Sequence, residues 1–298
     1  RPVRARSLIV LTIVAVDALV LFVVPELSAP RSTAIDSGPA SYLKRHLGTG
    51  RFFTLGPLAP NYGSYYRLPS LNANDIPIPS AFGRYVHTHL DPWVDPTIFV
   101  GNSGGGRSPY LPSPEQELLR NLTGYRRAGV SYVLTPAGQA LPQSRSTFTL
   151  VDRTATTWIY HLAGAAPYLT SGCAISSASR TDARVNCPRS DTLVRRETDL
   201  PGWTATVDGH RTPVRSFDGI FQAVRIPAGR HHVRFAFTPP GEVWGLVGFL
   251  VGAVALLFAV MGSGRGLRRP IHRKRVSAGA VPPARAPAPE PRGEVGAT

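Results

Sequence analysis

Lysine is almost missing from this chain. Two lysines, Lys44 and Lys274, stand against 31 arginines, and alanine, glycine and proline are abundant. Residues with G- and C-rich codons dominate, which points to a bacterium with a GC-rich genome. Cysteine is as scarce: Cys173 and Cys187 are the only two, with no histidine pair at matching spacing, which excludes a cysteine-rich zinc module. Between the chain's ends no basic cluster with interleaved aromatics occurs, which argues against nucleic acid as a partner. Methionine occurs once, at Met261. A chain that opens on Arg1 is expected to be the C-terminal part of a longer protein.

What the chain has in plenty is apolar residues near both ends. Arg1, Arg4 and Arg6 precede the run Ser7 to Val24, and a second run, Val243 to Met261, is followed by Arg265, Arg268, Arg269, Arg273, Lys274 and Arg275. At about 1.5 Å per helical residue each run reaches roughly the 30 Å of a hydrocarbon core, so two transmembrane helices are expected. Basic residues stay on the cytoplasmic side, which puts both termini inside and the middle outside a plasma membrane, as a multi-pass protein with membrane lipid as a partner. A cleaved signal peptide ending near Leu27-Ser28-Ala29 is the alternative for the first run. Asp17, in mid-run, costs about 2.5 to 3.5 kcal/mol on insertion scales and is expected to face protein, including further transmembrane helices of the same protein. The exterior segment carries about +7 of the total +15, spread diffusely.

Cysteines exported to an oxidising compartment are expected to pair, and a Cys173–Cys187 bridge would contribute on the order of 3 kcal/mol by restricting the unfolded chain. Two buried thiols are the other option.

Along the exterior segment the pattern changes. Ser41 to His46 reads as a short helix and Arg51 to Leu55 as a strand. Ser113, Pro114 and Gln116 form a capping-box signature for a helix through Leu118, Leu119, Leu122 and Tyr125 that stops at Gly129. Val130 to Thr135 follows as a strand. From Asp191 onward short alternating runs are separated by Asp208-Gly209 and Asp218-Gly219, the residue pairs of type I′ hairpins. Trp203, Ala205 and Val207 share one strand face, as do Val233, Phe235 and Phe237, so two sheets must pack face to face.

The expected class is therefore α+β and membrane-anchored, two transmembrane helices flanking an exterior α/β domain and a small β-sandwich. The boundaries are 1–24 for the basic flank and first helix, 25–165 for the α/β domain, 166–242 for the sandwich, 243–262 for the second helix and 263–298 for a disordered basic tail.

The motifs that could carry chemistry are thin. Gly101-Asn102-Ser103-Gly104-Gly105 fits a nucleophile elbow, but Ser108-Pro109 and Pro112 stand where its helix should begin. His87, His89 and Asp91 would share one face of a strand, with Asp95 close by; no further ligand of known spacing accompanies them, and neither a metal nor another cofactor is assigned. Asn121-Leu122-Thr123 is a sequon inside the expected helix. The long Pro-, Gly-, Ser- and Tyr-rich stretch Asn61 to Pro112 is the place to look for ligand contacts, because loops of that length are commonly functional.

Several segments carry a family resemblance. Arg51-Phe52-Phe53-Thr54-Leu55-Gly56, Asn61-Tyr62-Gly63 and Ser70-Leu71-Asn72-Ala73-Asn74-Asp75 resemble the exterior region of the YfhO-like bacterial membrane proteins. So do Leu200-Pro201-Gly202-Trp203-Thr204-Ala205-Thr206-Val207-Asp208-Gly209, Ile226-Pro227-Ala228-Gly229-Arg230-His231-His232-Val233 and Phe237-Thr238-Pro239-Pro240. The resemblance implies a glycosyltransferase-like protein of the GT-C type, using a polyprenyl-phosphate sugar to modify an envelope glycan or polymer. The family's catalytic acids lie in an early exterior loop to which nothing here corresponds, so no catalytic residue is carried over. The chain would then be an exterior accessory region of such an enzyme. A membrane-anchored module that binds glycan or protein without catalysis is the alternative, and a secreted hydrolase using Ser103 a third reading. Tyr62, Tyr65, Tyr66, Asn72, Asn74 and Trp93 are the candidate glycan contacts, since aromatic faces stack on sugar rings and amides bond their hydroxyls. The competing role for the tyrosines and Trp93 is packing of the α/β core.

Overall fold

The computed structural model describes residues 9–21, 36–58, 63, 65–74, 77–102 and 107–262. Tyr62, Ser103 and the tail from residue 263 lie outside the described residues. The chain divides into two units, Arg1–Val23 with Gly248–Thr298, and Val24–Val247.

The unit Val24–Val247 is built mostly of β-sheet. Its first sheet has the order β1-β4-β6-β5, from β1 (Arg51–Thr54), β4 (Val130–Pro136), β5 (Phe148–Arg153) and β6 (Thr157–Leu162). β1 and β4 run parallel and the other pairs antiparallel. Both faces are covered, because neighbouring residues on each central strand point to opposite sides. Phe53, Val133 and Tyr160 enter one core, and Phe52, Leu134 and Ile159 enter another beneath helix α1 (Gly38–His46).

The first of these cores is roofed by helix α2 (Ser80–Tyr85), a π-helical turn over Val86–Leu90, and helices α3 (Pro114–Arg120) and α4 (Leu122–Arg127). The capping box at Ser113 is present: Gln116 N donates to Ser113 Oγ at 3.2 Å, and Ser113 N donates to Gln116 Oε1 at 2.8 Å. The helix it starts breaks at Asn121, where φ is −109° and ψ 26°. Asn121 Nδ2 instead donates to Leu90 O at 2.9 Å and Glu117 Oε2 at 3.0 Å, so the sequon amide holds the π-helical turn against α3.

From residue 169 onward the strands form two sheets packed face to face. One has the order β13-β14-β10-β7, from β7 (Leu169–Thr170), β10 (Asp191–Arg195), β13 (Arg215–Phe217) and β14 (Phe221–Ile226). The other has the order β12-β11-β15-β9-β8, from β8 (Ala174–Ala178), β9 (Asp182–Cys187), β11 (Trp203–Val207), β12 (His210–Thr212) and β15 (Gly229–Phe237). Leu193, Val224 and Ile226 of the first meet Val185, Ala205, Val207, Val233 and Phe235 of the second in one core. Val194 and Phe221, on the back of the first sheet, enter the core of the mixed sheet, and the Phe221 ring meets Tyr85 edge-on at 5.7 Å. Burying one such phenyl contributes about 2 kcal/mol, which fastens the sandwich to the mixed-sheet layer. Asp208 and Asp218 adopt positive φ, 52° and 62°, as type I′ turns require. Cys173 and Cys187 form a disulfide, tying the start of β8 to the end of β9.

The expected fold class is corrected by this architecture: mostly β-sheet with few helices, and among the described residues no helix long and apolar enough to cross a membrane. Helix α5 (Glu242–Gly262) has 21 residues. Asp17, Val243, Trp244 and Phe249 are exposed.

Candidate functional site

Of the six candidate contacts, Trp93 stands in the clearest cleft. The π-helical turn ends where Asp91 N donates to Val86 O at 2.8 Å, and Asp91 then turns the chain by accepting from Trp93 N at 3.0 Å. The Trp93 ring is left 52 % exposed, although a side chain of that size is ordinarily well covered. Around it lies a cleft of about 230 Å³, lined by Trp93, Asp95, Ile98, Asn102 and the Asp91–Arg107 pair among others.

The ion pair at its edge is deeply buried. Arg107 Nη1 donates to Asp91 Oδ2 at 2.5 Å and Nη2 to Asp91 Oδ1 at 3.2 Å, the two-pronged geometry of strong guanidinium–carboxylate recognition. Their side chains are 8 % and 3 % exposed. Removing either partner would strand the other charge at about 3–5 kcal/mol, so the pair fixes the cleft wall. Arg107 Nε, also buried, has no partner among the described residues. Asp95, on the rim, is held below the usual carboxylate range by the Thr97 N–H and then the Thr97 hydroxyl.

Gly101 closes the far side. Its φ is 74°, and a Cβ there would fall 1.9 Å from Thr54 O, so only glycine lets this loop touch the end of β1. That accounts for the first residue of the nucleophile-elbow pattern as close backbone approach. Ser103, the nucleophile of that reading, lies outside the described residues.

The other candidates are dispersed. Asn72 is 8 % exposed, and its amide mimics a strand neighbour for Thr54, accepting from Thr54 N at 2.8 Å and donating to Thr54 O at 3.0 Å. Asn74 is exposed on β2 (Ala73–Asn74), where it pairs with Ile98 of β3 (Ile98–Phe99), a residue of the Trp93 cleft. Tyr65 is 79 % exposed and meets Tyr66 edge-on at 5.0 Å, while Lys44 Nζ lies 5.3 Å from the Tyr66 ring centre. Tyr66 also leans on the core under α1. The structure thus places Trp93 in a cleft, pairs Asn74 with a strand residue that lines it, and holds Tyr65 and Tyr66 as a separate aromatic pair.

The alternating His87, His89 and Asp91 do not share a strand face. They lie in and just after the π-helical turn; His87 Nδ1 sits 3.2 Å from Pro92 O, His89 rests on Tyr85 at 4.8 Å, and Asp91 is committed to Arg107. No group of His, Cys, Asp or Glu among the described residues could hold a metal ion. Arg107 was the contact that sequence reasoning missed. Its partner is sixteen residues away, and no periodicity joins them.

In the sandwich Ala205, Val207 and Val233 of the motif segments are buried, while Asp208 and Phe237 are exposed and His231 is half-buried. Trp203 meets Phe237 at a tilt of 47° with ring centres 5.1 Å apart, and the buried Arg195 guanidinium lies 4.1 Å from the Trp203 ring centre and 4.6 Å from that of Phe235. Burial draws the Arg195 pKa down, although Tyr168 and Glu197 favour its charge. Arg195 Nε donates to Tyr168 Oη at 2.9 Å and Nη1 to Gln222 Oε1 at 2.7 Å. At the other end of the motif Asp208 accepts from His232 N at 2.8 Å and pairs with His231 Nδ1 at 2.6 Å.

Residues 198–247, which contain these motifs, match the family described as "Bacterial membrane protein YfhO". No curated protein and no solved structure matches the chain. The match shows the YfhO resemblance over that segment.

Proposed function

We propose that the β-rich unit is an extracytoplasmic accessory region of a YfhO-like membrane glycosyltransferase, and that the Trp93 cleft holds a sugar ring of the lipid-linked donor or of the envelope polymer being modified. The observation that carries this reading is the cleft itself: a half-exposed Trp93 beside a rim carboxylate and a buried guanidinium N–H that has no partner among the described residues. An indole face gives a pyranose its apolar contact, while the Arg107 and Asp95 groups are suited to bonding hydroxyls. The disulfide supports an oxidising, extracytoplasmic side. The family match supports a setting at the membrane.

No residue is assigned a catalytic role. Asp91, the carboxylate at the wall of the cleft, is fully engaged by Arg107, which also favours the second reading, a module that binds glycan without transforming it. The test is binding of the full chain in neutral detergent to an array of bacterial envelope glycans. Wild type should bind a subset, and Trp93→Ala should lose at least about tenfold in affinity, the equivalent of 1.4 kcal/mol. Binding unchanged by the substitution would remove the cleft from the account. Transfer of sugar from a polyprenyl-phosphate donor by the longer protein, abolished without this unit, would favour the transferase reading over the binding module.

A further inference from the structure

A second cleft, of about 440 Å³, opens where the mixed sheet meets the sandwich. Its apolar lining includes Leu71, Phe82 and Phe221, and its charged lining is Arg51, Arg67, Arg180 and Glu197. Three of these four form a fixed frame. Arg51 Nη2 donates to Glu197 Oε1 at 3.1 Å, Arg180 Nη2 to Glu197 Oε2 at 2.7 Å, and Tyr168 Oη to Glu197 Oε2 at 2.9 Å. Both guanidinium groups are also anchored to backbone, Arg51 Nη1 on Ala128 O at 3.2 Å and Arg180 Nη1 on Thr49 O at 3.1 Å. The Arg180 guanidinium lies 4.4 Å from the Tyr168 ring centre, which holds it in place.

The frame leaves a surplus of positive charge. Burial alone would raise the Glu197 pKa, but Arg51, Arg180 and the Tyr168 hydroxyl outweigh it and hold the carboxyl ionised below its usual range. One negative charge therefore faces two immobilised guanidinium groups. Arg67 adds a third at the mouth. It is exposed, makes no ion pair among the described residues, and has a φ of 57°, the left-handed region that an arginine outside a hairpin turn rarely occupies. Ser70 and Thr198 also line the cleft, and side-chain hydroxyls commonly accompany guanidinium groups around an oxyanion.

We propose that this cleft is an oxyanion site, taking the phosphate or carboxylate group of a ligand between Arg67 and the fixed Arg51–Arg180 frame. Guanidinium groups favour such anions because their parallel N–H bonds match two oxygens at once. Arg67 supplies the uncommitted fork, and the frame supplies a positive wall that needs no reorganisation when the anion arrives. The site stands apart from the Trp93 cleft and does not depend on that cleft binding sugar.

The test is equilibrium dialysis of the full chain in neutral detergent, at fixed ionic strength, against radiolabelled inorganic phosphate in one arm and glucuronate in the other. Saturable binding in at least one arm is expected, weakened at least tenfold by Arg67→Gln, retained in part by Arg67→Lys and unaffected by Trp93→Ala. Arg67 is exposed, so Arg67→Gln should leave the melting temperature unchanged and the loss assignable to the site. Phosphate binding alone identifies a phosphate ester as the ligand class, and glucuronate binding alone a carboxylate. No saturable binding in either arm, or binding by Arg67→Gln equal to wild type, would overturn the proposal.

Discussion

Two tryptophans in the same unit have opposite surroundings. Trp203, in the sandwich, meets Phe237 at a tilt and is covered by the Arg195 guanidinium, whereas Trp93, above the mixed sheet, is half exposed beside a cleft. The first belongs to the segment that matches a family, and the second lies outside it. The difference teaches that a recognisable motif can mark what holds a fold together, while the surface proposed to meet a ligand lies in an unmatched region. Pro201-Gly202-Trp203, Asp208-Gly209 and His231 all serve turns, strand pairing and side-chain packing within the sandwich.

The comparison breaks most visibly at Gly202. Its φ is 107°, and a Cβ would sit 2.3 Å from Thr238 O, a backbone atom that cannot step aside cheaply. Gly202→Ala should cost about 3 kcal/mol or more and lower the melting temperature by roughly 6–12 °C, read by circular dichroism of the full chain in detergent. An unchanged melt would show that the motif does not act on stability.

Opening the Cys173–Cys187 bridge, by Cys173→Ser with Cys187→Ser, should cost about 3 kcal/mol, because the bridge closes a loop with a sequence separation of 14. Glycan binding at Trp93 should survive at temperatures where the variant remains folded, since the bridge lies in the other region. Loss of both together would merge the two regions into one functional element.

The smallest effect belongs to His231 and Asp208. The His231 pKa is raised above 6.5, first by its bond to Asp208 and then by Ala228 O, so its stabilisation is complete below pH 6.5 and fades as pH rises through the raised value. The Asp208 pKa is lowered below 3.8, first by the His232 N–H and then by His231, so its share is present above pH 3.8 and fades as pH falls through the lowered value. His231→Gln should therefore lower the melting temperature by a few degrees near pH 5 and by less at pH 9. An equal loss at both values would mean that the pair contributes through packing and not through charge.

Legibility in the sequence followed the range of the interactions. Asp208-Gly209, Asp218-Gly219 and the Ser113–Gln116 box are local devices, each decided within four residues, and each is present in the structure. His87 and His89 misled because alternation was read as a strand, whereas burial of Val86 and Leu90 against the helices favours a π-helical turn. The apolar runs were weighed by length, hydropathy and basic flanks, and among the described residues no helix is long and apolar enough to cross a membrane. Of the site, Trp93 could be nominated from its setting in a long loop. Its neighbours Arg107, Gly101 and Asn102 stand in the same stretch, but their convergence on Trp93 comes only through the fold. The Arg51–Glu197 pair, 146 residues apart, left no trace in local pattern.

The central claim is that Trp93 serves ligand and not fold. Saturation-transfer NMR of an envelope oligosaccharide with the full chain, compared between wild type and Trp93→Ala, tests it most directly when each melting temperature is recorded alongside. The account predicts sugar-ring signals in wild type that vanish in Trp93→Ala while the melt moves by no more than about 2 °C, the equivalent of less than 1 kcal/mol. Full signals from the variant, or their loss only together with a collapsed melt, would contradict it.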